Sequence, residues 1–546
     1  LPYHWGYHVF MAAAMRLAGA ELPVTLLWGG QMLNALHALA AAGLAAYLWR
    51  RHIASVVAAL VVGLVSIFPA YYVSWGRYTQ LTGLLLLVPL MIVWLELLRS
   101  CSAGLVGAGD RARASGGCNW RLPVALALLL AGLCLIHFIV LAFGLCFIAV
   151  SGIGWVLSAR REQLWARVLA AAGAAGLALA LSGPWLWLLV SRALLPSDVG
   201  VAPPLVGRGA FYALDTRLLW AGHNRLLVAI ALAAALWGMR RRARVVAEQL
   251  AWVAALCVLA NPNLALYVLP AAGLVLLAWA LPRRRLLAAV GGAALLLLNP
   301  LLIGKLPYLG IISIETIVIS LFLPIGVLLG GGAAWLWDWI ERWVAMGRSG
   351  EPEKGRVKQV QSNEHLVARS PSRRRLAARA VVVALLGAQA LGGAWELRNV
   401  VNSTTVLARP ADLAAIAWAA QHTPPDARFL INAAGWLGTG RGADGGWWLL
   451  PLAGRWTSTP PALYDYGPSD YVRETRARTA QLIGYAPGQE QALYQLIDRD
   501  RITHIYLGPN AAPITPAAFP GSQGFEKVYE QSGVTIFAVH RRGVTR

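Results

Sequence analysis

The sequence predicts an α-helical polytopic membrane protein of about twelve transmembrane helices with a C-terminal extracytoplasmic α/β domain. Three observations predict it. Apolar stretches of about twenty residues, the length that spans a bilayer, follow one another from Pro23 to Leu397. Arg clusters mark every second gap between them: Arg50/Arg51, Arg99 to Arg121, Arg160/Arg161, Arg240 to Arg244, Arg283 to Arg285 and Arg342 to Arg379. That is the positive-inside pattern, and it places these clusters on the cytoplasmic side. Beyond residue 400 the apolar runs give way to short alternating strands and amphipathic helices.

Composition excludes a soluble globular chain. Hydrophobic residues make up 58% and charged residues 13%, against about 25% charged residues in soluble domains. The net charge of +22 resembles a nucleic-acid signature until it is mapped. From Val401 onward there are 13 Lys/Arg and 11 Asp/Glu, so only +2 belongs to the tail and +20 to the rest. The excess lies mainly in cytoplasmic loops, where it orients helices and meets anionic lipid; no nucleic-acid partner is expected. Heavy Ala, Arg, Leu and Gly usage fits a bacterium with a GC-rich genome.

The five cysteines fall at Cys101 and Cys118 in a cytoplasmic loop and at Cys134, Cys146 and Cys257 in apolar spans. The tail therefore has no disulfide. Cys101 and Cys118 lack the short paired spacing of a zinc site.

The spans are expected near 23–48, 53–75, 79–99, 122–136, 138–158, 168–190, 218–239, 246–260, 262–281, 286–303, 313–340 and 377–397. Several are near fifteen residues and must tilt or pack deep within the bundle. Pro69, Pro89, Gly183-Pro184, Pro270, Pro300 and Pro324 interrupt others, and neighbours must satisfy the freed backbone groups. Residues 1–22 read as an amphipathic segment on the outer surface, ending a first external loop. The bundle then runs over 23–345, a basic disordered cytoplasmic linker over 346–376, a last span over 377–400 and the extracytoplasmic domain over 401–546. The chain begins at Leu1 and its first residues already read as external, so a preceding helix is expected to be missing.

In the tail, Asp412–Gln421 and Glu490–Asp500 read as helices, and Arg428–Asn432 and Thr503–Leu507 as strands. Phe525–Tyr529 and Val534–Val539 read as a hairpin around Gln531-Ser532-Gly533. Gly440, Gly442 and Gly445 match a dinucleotide fingerprint by spacing alone. That reading is rejected, because no helix follows cleanly and the run continues as GWWLLPLAGRW. A mobile loop carrying Trp447 and Trp448 to the membrane or the bundle mouth, with sugar stacking as a further use, is expected instead.

Candidate chemistry lies on the outer face. Tyr71, Tyr72, Trp75, Arg77 and Tyr78 form a turn (YYVSWGRYTQL) that reads either as an aromatic belt with a snorkelling Arg or as a cation for a lipid-linked phosphate. His137 in LIHFIV sits at the break between two short helices. It is a functional candidate by depth, or a histidine satisfied by helix-end carbonyls. His4 and His8 at i, i+4 would share a helix face, a spacing that can bind metal; an interfacial helix or a sugar contact fits them better. Glu315 (GIISIETIVIS) is either a membrane-depth carboxylate with a function or a helix N-terminal residue complementing the macrodipole. Arg208, Arg217, Arg225 and Lys305 are further outer cations, for phosphate or for snorkelling.

Four features together resemble the GT-C class of integral-membrane glycosyltransferases: PYHWGYHVF, WGRYTQLTG, the short-span doublet meeting at LIHFIV, and an external α/β domain with GADGGWWLLPLAGRWTSTPP. The short motifs look closest to those of bacterial and archaeal membrane proteins related to such enzymes. The resemblance implies sugar transfer from a polyprenyl-phosphate donor to a glycan, lipid or protein acceptor on the outer face of the cell membrane. It implies a catalytic carboxylate early in the first external loop, a region to which no residue here can be matched. A carboxylate deprotonating an acceptor hydroxyl is the chemistry expected, with outer arginines stabilising the departing phosphate. Arg77, Arg225 and Lys305 are the donor-phosphate candidates; Glu315, His137 and His4 the catalytic ones; Tyr78, Trp447 and Trp448 the sugar or acceptor contacts. No metal-ligand set is assigned, and a divalent cation as cofactor is left open. Two other readings compete: a carrier for polyprenyl-linked glycans, built on broken helices and buried ionisable groups, and an envelope scaffold acting through the tail.

Overall fold

The computed structural model describes residues 4–100, 120–156, 164–189, 219–220, 224–241, 243–261, 312–346, 373–402, 406–436, 439–510 and 513–540, with a few single residues between. The chain divides into two compact units, one formed by 4–183 and 211–401, the other built on 402–546.

The first unit is helical. Its elements are α1 (Gly6–Ala18), α2 (Leu22–Trp49), α3 (His52–Leu60), α4 (Ala70–Ser74), α5 (Tyr78–Ser100), α6 (Arg121–Ile136), α7 (Phe138–Val156), α8 (Leu164–Leu189, which runs on past the unit boundary), α9 (Arg225–Arg240), α10 (Arg244–Ala260), α11 (Ile314–Ser320), α12 (Phe322–Met346) and α13 (Arg373–Leu397). Among the described residues seven helices or helix pairs are long and apolar enough to cross a membrane, and α6 is a shorter apolar helix. This is a membrane protein of many apolar helices, but twelve spans are not established. The helices at 218–239 and 246–260 appear as α9 and α10, of 16 and 17 residues. The span at 286–303 lies outside the described residues, as do all but a few residues of the span at 262–281 and all but the ends of the linker.

Helix ends follow the sequence. Pro23 sits in the first turn of α2, where its missing N–H costs nothing. Arg50, left-handed at φ 52°, ends α2, and its N–H bonds back to Ala46 O. The predicted span at 53–75 is not one smooth helix: α3 passes into a π turn at Val61–Val65, breaks at Ser66–Pro69 and resumes as α4. Helix α13 crosses that turn so closely that a Cβ on Gly393 would overlap the Leu64 carbonyl, the kind of approach small residues permit between membrane helices. The predicted helix at 313–340 is likewise split at Leu321 into α11 and α12.

The core gathers on α5, whose Leu81, Leu84, Leu87, Leu90 and Met91 are buried, and on α11–α12 through Ile317, Ile319, Phe322 and Val327. Indole N–H groups cross-tie the helices without leaving buried donors unpaired. Trp94 Nε1 donates to Ser151 Oγ at 2.8 Å, Trp252 Nε1 to Phe143 O at 2.9 Å and Trp49 Nε1 to Val327 O at 2.9 Å.

The second unit is a layered α/β fold. Its helices are α14 (Pro410–His422), α15 (Leu449–Ala453), α16 (Ser469–Ile483) and α17 (Glu490–Arg499). Its strands are β1 (Arg428–Ile431), β2 (Ala433–Trp436), β3 (Thr439–Gly442), β4 (Trp456–Thr457), β5 (His504–Leu507), β6 (Phe525–Gln531) and β7 (Val534–Val539). The main sheet has the order β4-β1-β5-β7-β6, with β1 parallel to β4 and β5, and β7 antiparallel to β5 and β6. Alternation divides it between two apolar layers. Phe429, Ile431, Tyr506 and Ile536 pack with Ala415, Ile416 and Ala419 of α14. Leu430, Ile505, Leu507 and Phe537 pack with Leu482 of α16 and Leu493, Leu496 and Ile497 of α17. Helices on both faces explain why β1 and β5, after their first residues Arg428 and His504, are buried on both sides rather than alternating.

Candidate functional site

The site candidates of the first unit lie where helices break. Ser66–Pro69 and Gly76 interrupt the chain on either side of α4, and Gly76 adopts φ 66°, a conformation glycine allows without strain. The turn presents Arg77 just before α5, its N–H bonded to Tyr72 O at 3.0 Å. The Arg77 guanidinium lies 4.8 Å from the Trp75 ring centroid, a cation–π contact. Its Nη2 donates to Glu315 Oε1 at 3.0 Å. Ser313 caps α11 by accepting from Thr316 N at 3.2 Å, so Glu315 falls in a first helical turn, where a carboxylate complements the dipole. Glu315 thus lies at the helix end and pairs with Arg77. Arg77 is not a bare snorkelling cation but half of an ion pair, with about a third of its side chain exposed.

Beneath the pair runs a buried polar seam. Tyr72 Oη and Ser320 Oγ lie 3.1 Å apart, and Gln80 Nε2 donates to Tyr72 Oη at 3.4 Å. Ser320 also donates to Thr316 O at 2.8 Å. These bonds tie α4, α5 and α11 into one support. Sequence reasoning named none of Gln80, Thr316 or Ser320. The legible signal was Thr316 and Ser320 at i, i+4 in an otherwise apolar helix, a polar stripe that must find a partner.

The other candidates meet at the α6–α7 junction. His137 breaks the helix in extended conformation, its N–H bonded to Leu133 O. Its ring is 7% exposed, and its Nδ1 has no hydrogen-bond partner among the described residues. The His4 ring lies 4.9 Å from it and 5.8 Å from Phe138. Burial, and then the neighbouring His8, push His4 down to about 4, so it is neutral at physiological pH. Helix α1 begins at Gly6 with Trp5 at its N-cap. His4 therefore precedes the helix, and the face expected for His4 and His8 is not formed. The close approach is made by Gly6, whose Cβ would crowd the Leu135 carbonyl.

Tyr7 and Tyr78 link the two groups, their rings stacked with centroids 6.1 Å apart, and Gly83 of α5 packs so closely that a Cβ there would meet the His137 side chain. The structure thus brings Arg77, Tyr78, Glu315, His4 and His137 into one neighbourhood. Arg225 is the exposed first residue of α9 and shares no ion pair or hydrogen bond with the cluster. Lys305, Arg208 and Arg217 lie outside the described residues.

Trp447 and Trp448 belong to the second unit. They form the end of a 3₁₀ turn at Gly445–Trp448 and pack half-buried on the α14 layer. Trp447 Nε1 donates to Pro460 O at 3.0 Å. The acidic residue of this stretch ties it to the end of β5. Asp444 is fully buried and accepts from Gly446 N at 2.9 Å and Gly508 N at 2.8 Å. Burial pushes its carboxyl up to about 7. Asp412, also fully buried, accepts from Tyr506 Oη at 2.6 Å and Arg409 N at 2.8 Å. Glycine is required at 445, where a Cβ would overlap the Asp412 side chain. The glycines of GRGADG therefore serve hairpin packing and close approach to carboxylates.

Among the described residues no group of three or more His, Cys, Asp or Glu side chains could hold a metal ion. No family model matches the sequence, and no curated protein matches it. The chain is similar in structure to the archaeal oligosaccharyltransferase AglB from Archaeoglobus fulgidus solved with an inhibitory peptide and a dolichol-phosphate. The TM-score is 0.41 at 13% identity, over 100% of this chain and 67% of that one. The apo crystal structure of the A. fulgidus oligosaccharyltransferase gives a TM-score of 0.40 at 12% identity over the same shares.

Proposed function

We propose that this chain is a membrane glycosyltransferase of the GT-C plan, moving a sugar from a polyprenyl-phosphate donor to an acceptor on the outer face of the membrane. One observation carries the reading: Arg77, fixed by Trp75 and Glu315 on a break between helices, shares its neighbourhood with the His4–His137 pair.

In the proposed reaction the acceptor oxygen attacks the sugar's anomeric carbon. The bond from that carbon to the phosphate oxygen breaks, the hydroxyl proton passes to a base, and polyprenyl phosphate departs. Arg77 serves the departing phosphate, where a preorganised cation is worth most. Arg225 and Lys305 are secondary candidates for the same charge. Tyr78 lines the approach, and Trp447 and Trp448 are proposed as acceptor contacts. Glu315, His137 and His4 are the groups here able to take a proton; the carboxylate that the GT-C resemblance implies has no counterpart among them. The described donor set does not fit a metal centre.

The test is transfer itself. Membranes holding the full chain are supplied with radiolabelled polyprenyl-phosphate hexose, and label is followed into acceptors against membranes holding Arg77→Ala. Chain-dependent transfer, reduced by about 10²-fold in the variant as for loss of a single charge-stabilising donor, supports the reading. Equal transfer by both proteins overturns it.

A further inference from the structure

The second unit carries a charge cluster that the proposed transfer does not use. It lies where β1, β4 and β5 begin. Arg428 opens β1 and pairs in register with Trp456, which opens β4. The Arg428 guanidinium lies 3.8 Å from the Trp456 ring centroid, and Arg478 of α16 lies 5.1 Å from the same ring. Asp500, at the end of α17, is the carboxylate these cations share, and both its oxygens are taken. Oδ2 accepts from Arg478 Nε at 2.6 Å, and Oδ1 from Arg499 Nε at 2.9 Å.

The Arg428 side chain donates from Nε to the Asp500 carbonyl at 2.8 Å. Arg501 follows directly, left-handed at φ 53° and exposed. Neither Arg428 nor Arg501 enters an ion pair among the described residues. Burial first, and then the nearby Arg478 and Arg501, disfavour the charge on Arg428, with Asp500 opposing. Glu474 acts on Arg499 as well, so the edge sets the four guanidiniums of Arg428, Arg478, Arg499 and Arg501 against the carboxylates of Asp500 and Glu474, with Arg428 stacked on Trp456 and Arg499 and Arg501 reaching solvent.

We propose that this edge is a binding site for a phosphate-bearing ligand, with Arg428, Arg499 and Arg501 as its donors. A phosphate offers several oxygens and up to two charges to planar forks that bind in pairs. The Trp456 stack has already fixed one of those forks, so less freedom is lost on binding. The competing account is structural. Cations at the end of α17 complement its macrodipole, which asks for stability alone and for no dependence on added phosphate.

The site is tested on the full chain in nanodiscs, in an Arg77→Ala background so that the outer-turn cation contributes nothing. Glycerol phosphate is titrated at constant ionic strength into discs of neutral phosphatidylcholine, and binding is read by thermophoresis. Saturable binding that weakens at least about tenfold, or 1.4 kcal/mol, in Arg499→Ala/Arg501→Ala supports the site. These positions are exposed, so the variant is expected to fold, and its unfolding midpoint is measured alongside. No saturable binding, or binding unchanged in the double variant, overturns the proposal. Repeating the titration in phosphatidylglycerol discs separates the sources. Competition by the disc identifies a lipid headgroup, and unchanged affinity identifies a soluble phosphate group.

Discussion

Arg77 and Glu315 meet at 3.0 Å across 238 residues of sequence, joining the turn before α5 to the first turn of α11. Their side chains are 33% and 42% exposed, so the pair adds little stability, of the order of 0.2–1 kcal/mol. Its weight is in placement: it holds a guanidinium above the Tyr72–Ser320 seam. Glu315→Gln should therefore leave the thermal midpoint of the reconstituted protein nearly unchanged while altering phosphate affinity at Arg77. A large drop in midpoint with unaltered affinity would make the pair a structural strap.

The seam makes its own prediction. Ser320 is buried and bonds both Tyr72 and Thr316, and replacing it with Val leaves the Tyr72 hydroxyl short of a partner. The cost should be about 1–3 kcal/mol, read as a lower unfolding midpoint. Tyr72→Phe together with Ser320→Ala should recover part of that loss, because both polar partners then leave.

The second unit should lose stability as pH rises from about 4 to about 7. The Asp444 carboxyl stands at about 7 in the fold against an ordinary value of 3.8. Between those values the folded state holds a proton that the unfolded state releases, and by linkage stability falls with rising pH. Burial alone would raise the Asp500 carboxyl, but Arg499 and Arg478 hold it low, and it loses its contribution only in more acid solution, outside this window. Unfolding of the tail at pH 5 and pH 8 checks the sign, and Asp444→Asn should flatten the slope.

Gly445→Ala should destabilise the same unit by about 1–3 kcal/mol, the usual cost of overpacking a filled interior. The added methyl has no room against Asp412. Gly521→Ala, where nothing lies within van der Waals range, is the control. Equal midpoints for the two variants would remove the packing account.

Much of the fold was legible because period and punctuation carried it. The Arg50/Arg51 gap marked the turn between α2 and α3, and Phe525–Val539 read as a hairpin because alternation brackets a Ser-Gly turn. Three features were not legible, each for a stated cause. Helix α16 is polar over much of its length, with a buried stripe of Val472, Thr475, Thr479 and Leu482 that a search for apolar periods passes over. The β2–β3 hairpin is rich in glycine and alanine, so no side-chain pattern announces it. The π turn at 61–65 lies in a uniformly apolar run and is tied to α13, far away in sequence. At the site, Arg77, His137, His4 and Glu315 stood out as ionisable groups in apolar surroundings, whereas their pairings depend on tertiary contacts that no spacing encodes. Asp444 sits among the glycines of GRGADG, where no side-chain pattern marks a residue as buried.

The most direct test of the central claim is the affinity of polyprenyl monophosphate for the full chain in neutral nanodiscs, compared across wild type, Arg77→Lys and Arg77→Ala. The account predicts saturable binding, weaker in Arg77→Lys because a point charge cannot present a planar fork, and weaker again by about tenfold or more in Arg77→Ala. Equal affinity in all three proteins would contradict it and leave Arg77 as a strap between two helices.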